Sequence, residues 1–401
     1  MFITRWYNES SGMDRSKRFW FSFGILVVLI GVVFYLRQSN SVPARQIRSS
    51  IQEVVQKTNI IPTPTPHPFE NLTIPYLREQ MYKSNLGNLQ QIDQNDAYTS
   101  YLTSYTSDGL KINGLLTVPT GTAPDGGWPA IVFVHGYIPP KEYNTTERYT
   151  NYVDYLAKNG FVVFKIDLRG NGDSQGKAAG AYFSSGYVID TLNAYAALQS
   201  AHVSSNAGSL KNTQSKSSES AKQSVSVTPT QSPEQIVDIN PKKIGLWGHS
   251  MAGNIVMRAW AVKPDIPAVV IWAGAGYSYT DLMKYKINDP SYQPTPSSSP
   301  SAGFQKQLQK LYGKPDLTNH FWHDLAPVSY LNDLKGAIQI DHAVDDPVVN
   351  IGYSRDLMKL FDKTSVPHTL NEYPTGGHNI DEPSFTPAMQ NTVVFYKKYL
   401  E

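Results

Sequence analysis

Apolar residues along this chain fall into two rhythms. Short apolar stretches at Ala130 to Val134, Phe161 to Ile166 and Ala268 to Trp272 predict strands covered on both faces. Leu110 to Pro119, Lys243 to Trp247, Ala337 to Ile340 and His368 to Tyr373 predict further strands. The first of these follows a turn at Ser107-Asp108-Gly109. Between them, Thr150 to Asn159 has helical spacing, with Tyr152, Tyr155 and Leu156 on one side. Tyr187 to Gln199 and Ala252 to Ala261 also predict helices, and Thr386 to Tyr399 predicts a closing amphipathic one. Strand–helix alternation implies an α/β fold: a mostly parallel, doubly wound sheet with helices on both faces. Active sites in such sheets lie at the carboxyl ends of the strands.

The first part of the chain follows neither rhythm. Phe19 to Leu36 (FWFSFGILVVLIGVVFYL) is apolar and uncharged. At about 1.5 Å per residue it just crosses a hydrocarbon core of ~30 Å. Trp20 and Tyr35 lie at its ends, where amphipathic rings favour the interface. Arg5, Arg15, Lys17 and Arg18 precede it, which favours a cytoplasmic N-terminus over residues 1–18. The reading is a single-pass signal anchor at 19–36 with the rest of the chain extracytoplasmic, on a bacterial cell surface. A cleaved signal peptide is the alternative, but no clear A-x-A site follows. Residues 37–68 are polar and end in PTPTPHP, a semi-rigid Pro-rich linker. Residues 69–401 are then one domain with two interruptions. Ser204 to Gln235 is serine-rich and lacks aromatic residues, so it is expected to be a disordered surface insertion. Residues 274–334, which include a Ser/Pro-rich stretch, are expected to form a cap. Its Tyr277, Tyr279, Tyr285, Phe321 and Trp322 would either line an apolar pocket or pack the cap onto the sheet.

Composition narrows the chemistry. Apolar residues make up 40% and charged residues 17%, as suits a globular enzyme. The formal charge is +2 and Lys and Arg are scattered beyond the N-terminus, so nothing argues for a nucleic-acid partner. Cysteine is absent, which excludes disulfides, thiolate metal sites and a cysteine nucleophile. No His/Asp/Glu cluster has metal-ligand spacing.

Ile244-Gly245-Leu246-Trp247-Gly248-His249-Ser250-Met251-Ala252-Gly253 reads as strand, then G-x-S-x-A-G, then helix. A serine on so sharp a turn needs small neighbours two residues to either side, which Gly248 and Ala252 supply. The turn also brings Ser250 to a helix N-terminus, which favours developing negative charge. The hydroxyl needs a base, and the base needs an orienting acid. Downstream, Asp341 ends a strand and Asp345 and Asp346 lie in the loop beyond it; Asp346, directly before Pro-Val-Val, is favoured over Asp345. His342 has a lesser role in ordering that loop. Tyr373-Pro374-Thr375-Gly376-Gly377-His378 places His378 in a glycine-rich loop after the last strand, the expected base. Oxyanion donors are expected from the N–H groups of Met251 and of Tyr137, the latter in the loop after AIVFV, where His135 holds the backbone. In Asp167-Leu168-Arg169-Gly170-Asn171-Gly172-Asp173-Ser174, two glycines and an Asp/Arg pair suggest a tight, hydrogen-bonded loop near the site.

Together SDGLKINGLLTVP (107–119), FVHGY (133–137), DLRGNGDSQG (167–176), IGLWGHSMAGN (244–254), DDPVV (345–349) and GGH (376–378) resemble the α/β-hydrolase superfamily over about residues 95–401. Within it, the chain resembles the catalytic domain of the prolyl oligopeptidase family, including dipeptidyl- and acylaminoacyl-peptidase-like proteins. The resemblance implies a cofactor-independent serine hydrolase with Ser250, Asp346 and His378 as triad and Tyr137 and Met251 as oxyanion donors. Too few residues separate linker from hydrolase for the β-propeller of long members, and no paired-Glu amine site is evident. A serine peptidase therefore stands beside a carboxylesterase or lipase-type acyl hydrolase, with a non-catalytic surface binding module as a third reading.

Overall fold

The computed structural model describes residues 68–401, apart from 179, 183, 202–236, 286 and 289–299. A nine-stranded sheet runs in the order β1-β2-β3-β5-β4-β6-β7-β8-β9. The strands are β1 (Gln90–Gln94), β2 (Tyr98–Ser107), β3 (Leu110–Pro119), β4 (Trp128–Val134), β5 (Val162–Ile166), β6 (Ile239–His249), β7 (Ala268–Trp272), β8 (Ala337–Ala343) and β9 (His368–Tyr373). The helices are α1 (Ile74–Arg78), α2 (Thr150–Lys158), α3 (Gly186–Ser200), α4 (Ala252–Val262), α5 (Asp281–Lys284), α6 (Pro300–Tyr312), α7 (His320–Leu325), α8 (Gly352–Phe361) and α9 (Phe385–Leu400).

From β5 through β9 every neighbouring pair is parallel, whereas β1, β2 and β3 form an antiparallel meander that joins β5. The apolar runs are explained by coverage on both sides. Ala130, Val132 and Val134 of β4 face one core with α3, α4 and α8, while Ile131 and Phe133 face another with α2 and α9. Leu246 and Trp247 of β6 divide the same way. After β5 the chain crosses β4 to enter β6 on its other side. That reversal opens a crevice at the carboxyl ends of β4 and β6, where Ser250 follows. α3 ends beside the start of β6, where Gln199 donates to Pro241 O at 3.2 Å.

The β1–β2 hairpin and α8 lie outside the elements that the apolar pattern predicts. The loop after β5 is tight and hydrogen-bonded, with Gly170 N–H on Gln175 C=O at 3.1 Å and Ser174 N–H on Asn171 C=O at 3.0 Å, and Arg169 reaches out of it to Asp190 of α3 at 2.7 Å and to Asp108 at 3.0 Å. The cap aromatics Tyr279, Phe321 and Trp322 form a small core with Leu72, Leu308 and Leu325, so they pack and do not line a pocket. Tyr277 is buried in the main core, and Tyr285 bonds Asp356 and stacks near Tyr353. Residues 19–36, the linker to residue 67 and the 204–235 insertion lie outside the described residues. Among the described residues no helix is long and apolar enough to cross a membrane.

Candidate active site

Ser250 sits between β6 and α4 with φ 56°, a left-handed conformation that costs a non-glycine residue of order 1–2 kcal/mol. The turn is closed from both sides. Ser250 N–H donates to Trp272 C=O at 2.9 Å, and Ser250 C=O accepts Gly253 N–H at 2.9 Å. A side chain at Gly248 would come within 2.9 Å of Ala252 O, which is why the elbow needs small residues. The first N–H groups of α4, with Met251 at its N-cap, have no acceptor inside the helix.

His378 is carried by Thr375-Gly376-Gly377, where the two glycines have φ 128° and 58°. Asp345 Oδ1 accepts Gly377 N–H at 2.9 Å, and Tyr152 of α2 donates to Asn379 C=O at 2.7 Å. Asp346, not Asp345, meets the imidazole: its Oδ2 lies 2.8 Å from His378 Nδ1. A carboxylate only accepts, so Nδ1 carries the proton and Nε2 of the neutral ring is left as a base. Asp346 Oδ1 takes the Val348 and Val349 N–H groups at 2.8 and 2.9 Å. Burial opposes its ionisation, but the bonds from His342 and His378, the His378 charge and the Val349 N–H hold its carboxyl well below the usual range.

His342 is a fuller partner than its sequence position suggested. Its Nε2 lies 3.2 Å from Asp346 Oδ2 and 3.0 Å from Val349 O, while Nδ1 lies 2.7 Å from Ser354 Oγ of α8. Both Nε2 neighbours are acceptors, so Nε2 donates to them. Asp341, the third carboxylate, is fully buried in β8. It accepts from Gln339, Asn371 and Tyr373, and burial pushes its pKa up to about 6. It belongs to the sheet interior.

Across the crevice, the loop after β4 holds His135, Gly136 and Tyr137. The His135 ring lies between two carbonyl acceptors, Gly136 O at 2.6 Å and Asp167 O at 2.9 Å, while burial pulls its pKa down to about 4; it ties the loop after β4 to the end of β5. Gly136 N–H is committed to Tyr149 Oη at 3.0 Å, so it is not the donor an oxyanion would need. His249, one residue before Ser250, reaches both sides: Nδ1 lies 2.7 Å from Tyr149 Oη and Nε2 2.9 Å from His378 O. Its ring centroid is 4.6 Å from that of His378. Among the described residues no hydrogen bond joins the Ser250 hydroxyl to His378; such bonds commonly tighten only around substrate. No group of His, Asp or Glu suited to a metal ion occurs among the described residues.

Residues 129–207 match the family model described as serine aminopeptidase, S33, and residues 234–400 match that of the BAAT / acyl-CoA thioester hydrolase C-terminal region. No curated protein matches the chain. Among solved structures, an acetyl xylan esterase from Paenibacillus sp. R4 superposes with a TM-score of 0.52 at 16% identity, over 82% of this chain and 92% of that one. A puromycin-hydrolyzing peptidase of Mycobacterium tuberculosis gives 0.52 at 17% identity, over 77% of this chain and 40% of that one. The acylaminoacyl peptidase of Pyrococcus horikoshii gives 0.52 at 16% identity, over 77% and 42%. At such identities the likeness concerns the fold, and this chain spans less than half of either peptidase.

Proposed function

We propose that the chain is a serine hydrolase of the α/β-hydrolase type in which Ser250, His378 and Asp346 form the triad and cleave an ester or amide through an acyl-enzyme. The observation that carries this is the His378 ring, fixed by buried Asp346, in a loop that touches the residue next to a strained elbow serine. His378 Nε2 takes the Ser250 proton as Oγ attacks the carbonyl carbon. The oxyanion is held by the Met251 and Tyr137 N–H groups. On collapse, His378 gives the proton to the leaving alcohol or amine; it then activates water, and the acid is released. Asp346 keeps the proton on Nδ1 and stabilises the imidazolium.

The peptidase reading, closest to the prolyl oligopeptidase group, draws on the S33 match and the acylaminoacyl peptidase likeness. A second reading, an esterase for small acyl groups, is favoured by the near-complete coverage of an esterase chain against less than half of the peptidases. Residues 19–36 would anchor the enzyme to a membrane with the hydrolase domain outside, which protease accessibility on intact cells would test.

Fluorophosphonate labelling of the full chain tests the triad. Modification at Ser250, lost in Ser250→Ala and His378→Ala, is expected, and no labelling of the folded protein would overturn the reading. Comparing p-nitrophenyl acetate with aminoacyl and N-acyl-aminoacyl amides then separates esterase from peptidase.

A further inference from the structure

The bonds around His249 have only one consistent direction. His378 C=O can only accept, so His249 Nε2 carries its proton. Burial pulls the His249 pKa down to about 3, so the ring is neutral and Nδ1 is bare. Nδ1 therefore accepts the Tyr149 O–H, and the phenol oxygen is left to accept Gly136 N–H. The result is an unbroken relay from the loop after β4, through Tyr149 at the start of α2 and the residue before Ser250, to the backbone of His378.

We propose that His249 and Tyr149 are positioning residues that hold the oxyanion loop and the His378 loop in register on either side of Ser250. The inference rests on the triad reading above. Two features make such a tie necessary. The His378 loop turns on consecutive glycines with positive φ, so its own backbone does little to fix it. The Tyr137 N–H can aim at an oxyanion only if the preceding peptide is held, and Tyr149 holds it through Gly136 N–H. The fit leaves no slack: a Cβ at Gly136 would lie 2.8 Å from Tyr149 Oη and 3.0 Å from His249 Nδ1. Tyr149 itself has φ 62° and packs edge-on to Phe133 and Trp247, so its hydroxyl is aimed by rigid neighbours. Neutrality matters as well. A second cation against the His378 ring would oppose its protonation during acyl transfer, and a wholly buried His249 never supplies one.

The test uses the full chain with three variants. Tyr149→Phe keeps the ring and removes the relay hydroxyl. His249→Asn keeps a polar atom near the Nδ1 position and loses the reach to His378 C=O. His249→Gln carries an N–H near the Nε2 position and restores that reach. kcat and KM for p-nitrophenyl acetate, fluorophosphonate labelling rates and melting temperatures are measured on each. Tyr149→Phe and His249→Asn are expected to lose ~10- to 100-fold in kcat and labelling rate, the scale of an ångström-sized misplacement, with little change in KM. His249→Gln is expected to recover most of what His249→Asn loses. Wild-type kcat and labelling in folded Tyr149→Phe and His249→Asn would overturn the inference. So would losses that track melting temperature alone, with no recovery in His249→Gln. If the wild-type chain is not labelled at Ser250, the triad reading falls first; if it is and the variants label equally fast, only the relay falls.

Discussion

Asp346→Asn exchanges one oxygen for one NH₂ and should nearly abolish turnover while leaving the fold in place. The four hydrogen-bond partners of Asp346 are all donors: Val348 N–H, Val349 N–H, His378 Nδ1–H and His342 Nε2–H. A carboxylate accepts from all four, but an amide accepts at one end only. Its oxygen will stay with the two main-chain N–H groups, because the loop cannot move them, and its NH₂ will then confront two imidazole donors. His378 can answer only by shifting its proton from Nδ1 to Nε2, where it faces Ser250 and can no longer take the hydroxyl proton. In a serine triad the wrong tautomer costs about 10⁴ in kcat, or ~5.4 kcal/mol in barrier at ~1.36 kcal/mol per decade. Asp345→Asn is the control. Asp345 is exposed and gives only Oδ1 to Gly377 N–H, so its loss should change kcat by no more than a few-fold. Both are measured as kcat and kcat/KM on p-nitrophenyl acetate, with circular dichroism to confirm folding. A drop of less than ~100-fold in folded Asp346→Asn would refute this reasoning, as would an equal drop in Asp345→Asn.

Three further outcomes follow from the same geometry. Ser250→Ala and Ser250→Gly should both be inactive, but Ser250→Gly should unfold about 1 kcal/mol later, because glycine relieves the positive φ; equal melting temperatures would refute the strain. Lys165 is buried on β5, bonds Arg148 O at 2.8 Å, and burial lowers its pKa to about 8. Between there and its ordinary value of 10.5 the folded state binds fewer protons than the unfolded chain, so stability should rise with pH by up to ~3 kcal/mol. Lys165→Met should remove that slope, and urea unfolding from pH 7 to 10.5 with an unchanged difference between the two proteins would refute it. Arg258 is fully buried on α4 and donates to Leu72 O, Ser184 O and Ser185 Oγ. Arg258→Met should strand the two carbonyls at about 1–3 kcal/mol each and speed proteolysis within residues 69–78; an unchanged cleavage rate would count against it.

The strands that sequence located best are those whose ends are marked by turns. Ala268 to Trp272 and His368 to Tyr373 coincide with β7 and β9, although β7 is buried on both faces and β9, at the sheet edge, is half-exposed. β6 begins earlier than its apolar run, at Ile239, because polar Asn240 to Lys243 are carried along by pairing of Ile239 with Trp128. β1 is polar and wholly exposed, so no pattern marks it. α8 does carry a helical signal, since Tyr353, Leu357, Met358 and Phe361 keep helical spacing. At the site, Ser250 and His378 announce themselves through local motifs. Asp345 and Asp346 cannot be told apart by composition; the turn that hands Val348 and Val349 N–H to Oδ1 of Asp346 decides which carboxylate points inward. Tyr149 left no local signal, because its partner His249 is 100 residues away.

The α3-to-β6 connection also divides the working parts of the enzyme. The proposed oxyanion loop after β4, with Tyr149 behind it, precedes that point; the proposed nucleophile, acid and base all follow it. A single cut there would yield two polypeptides, neither carrying the whole of the proposed site. The β4–β6 ladder, from Trp128 against Ile239 to Val134 against Gly248, would be a main seam holding them together. The protein is thus laid out as a natural split enzyme: turnover by the nicked chain would measure how firmly two halves associate, and separately expressed halves would serve as a complementation reporter.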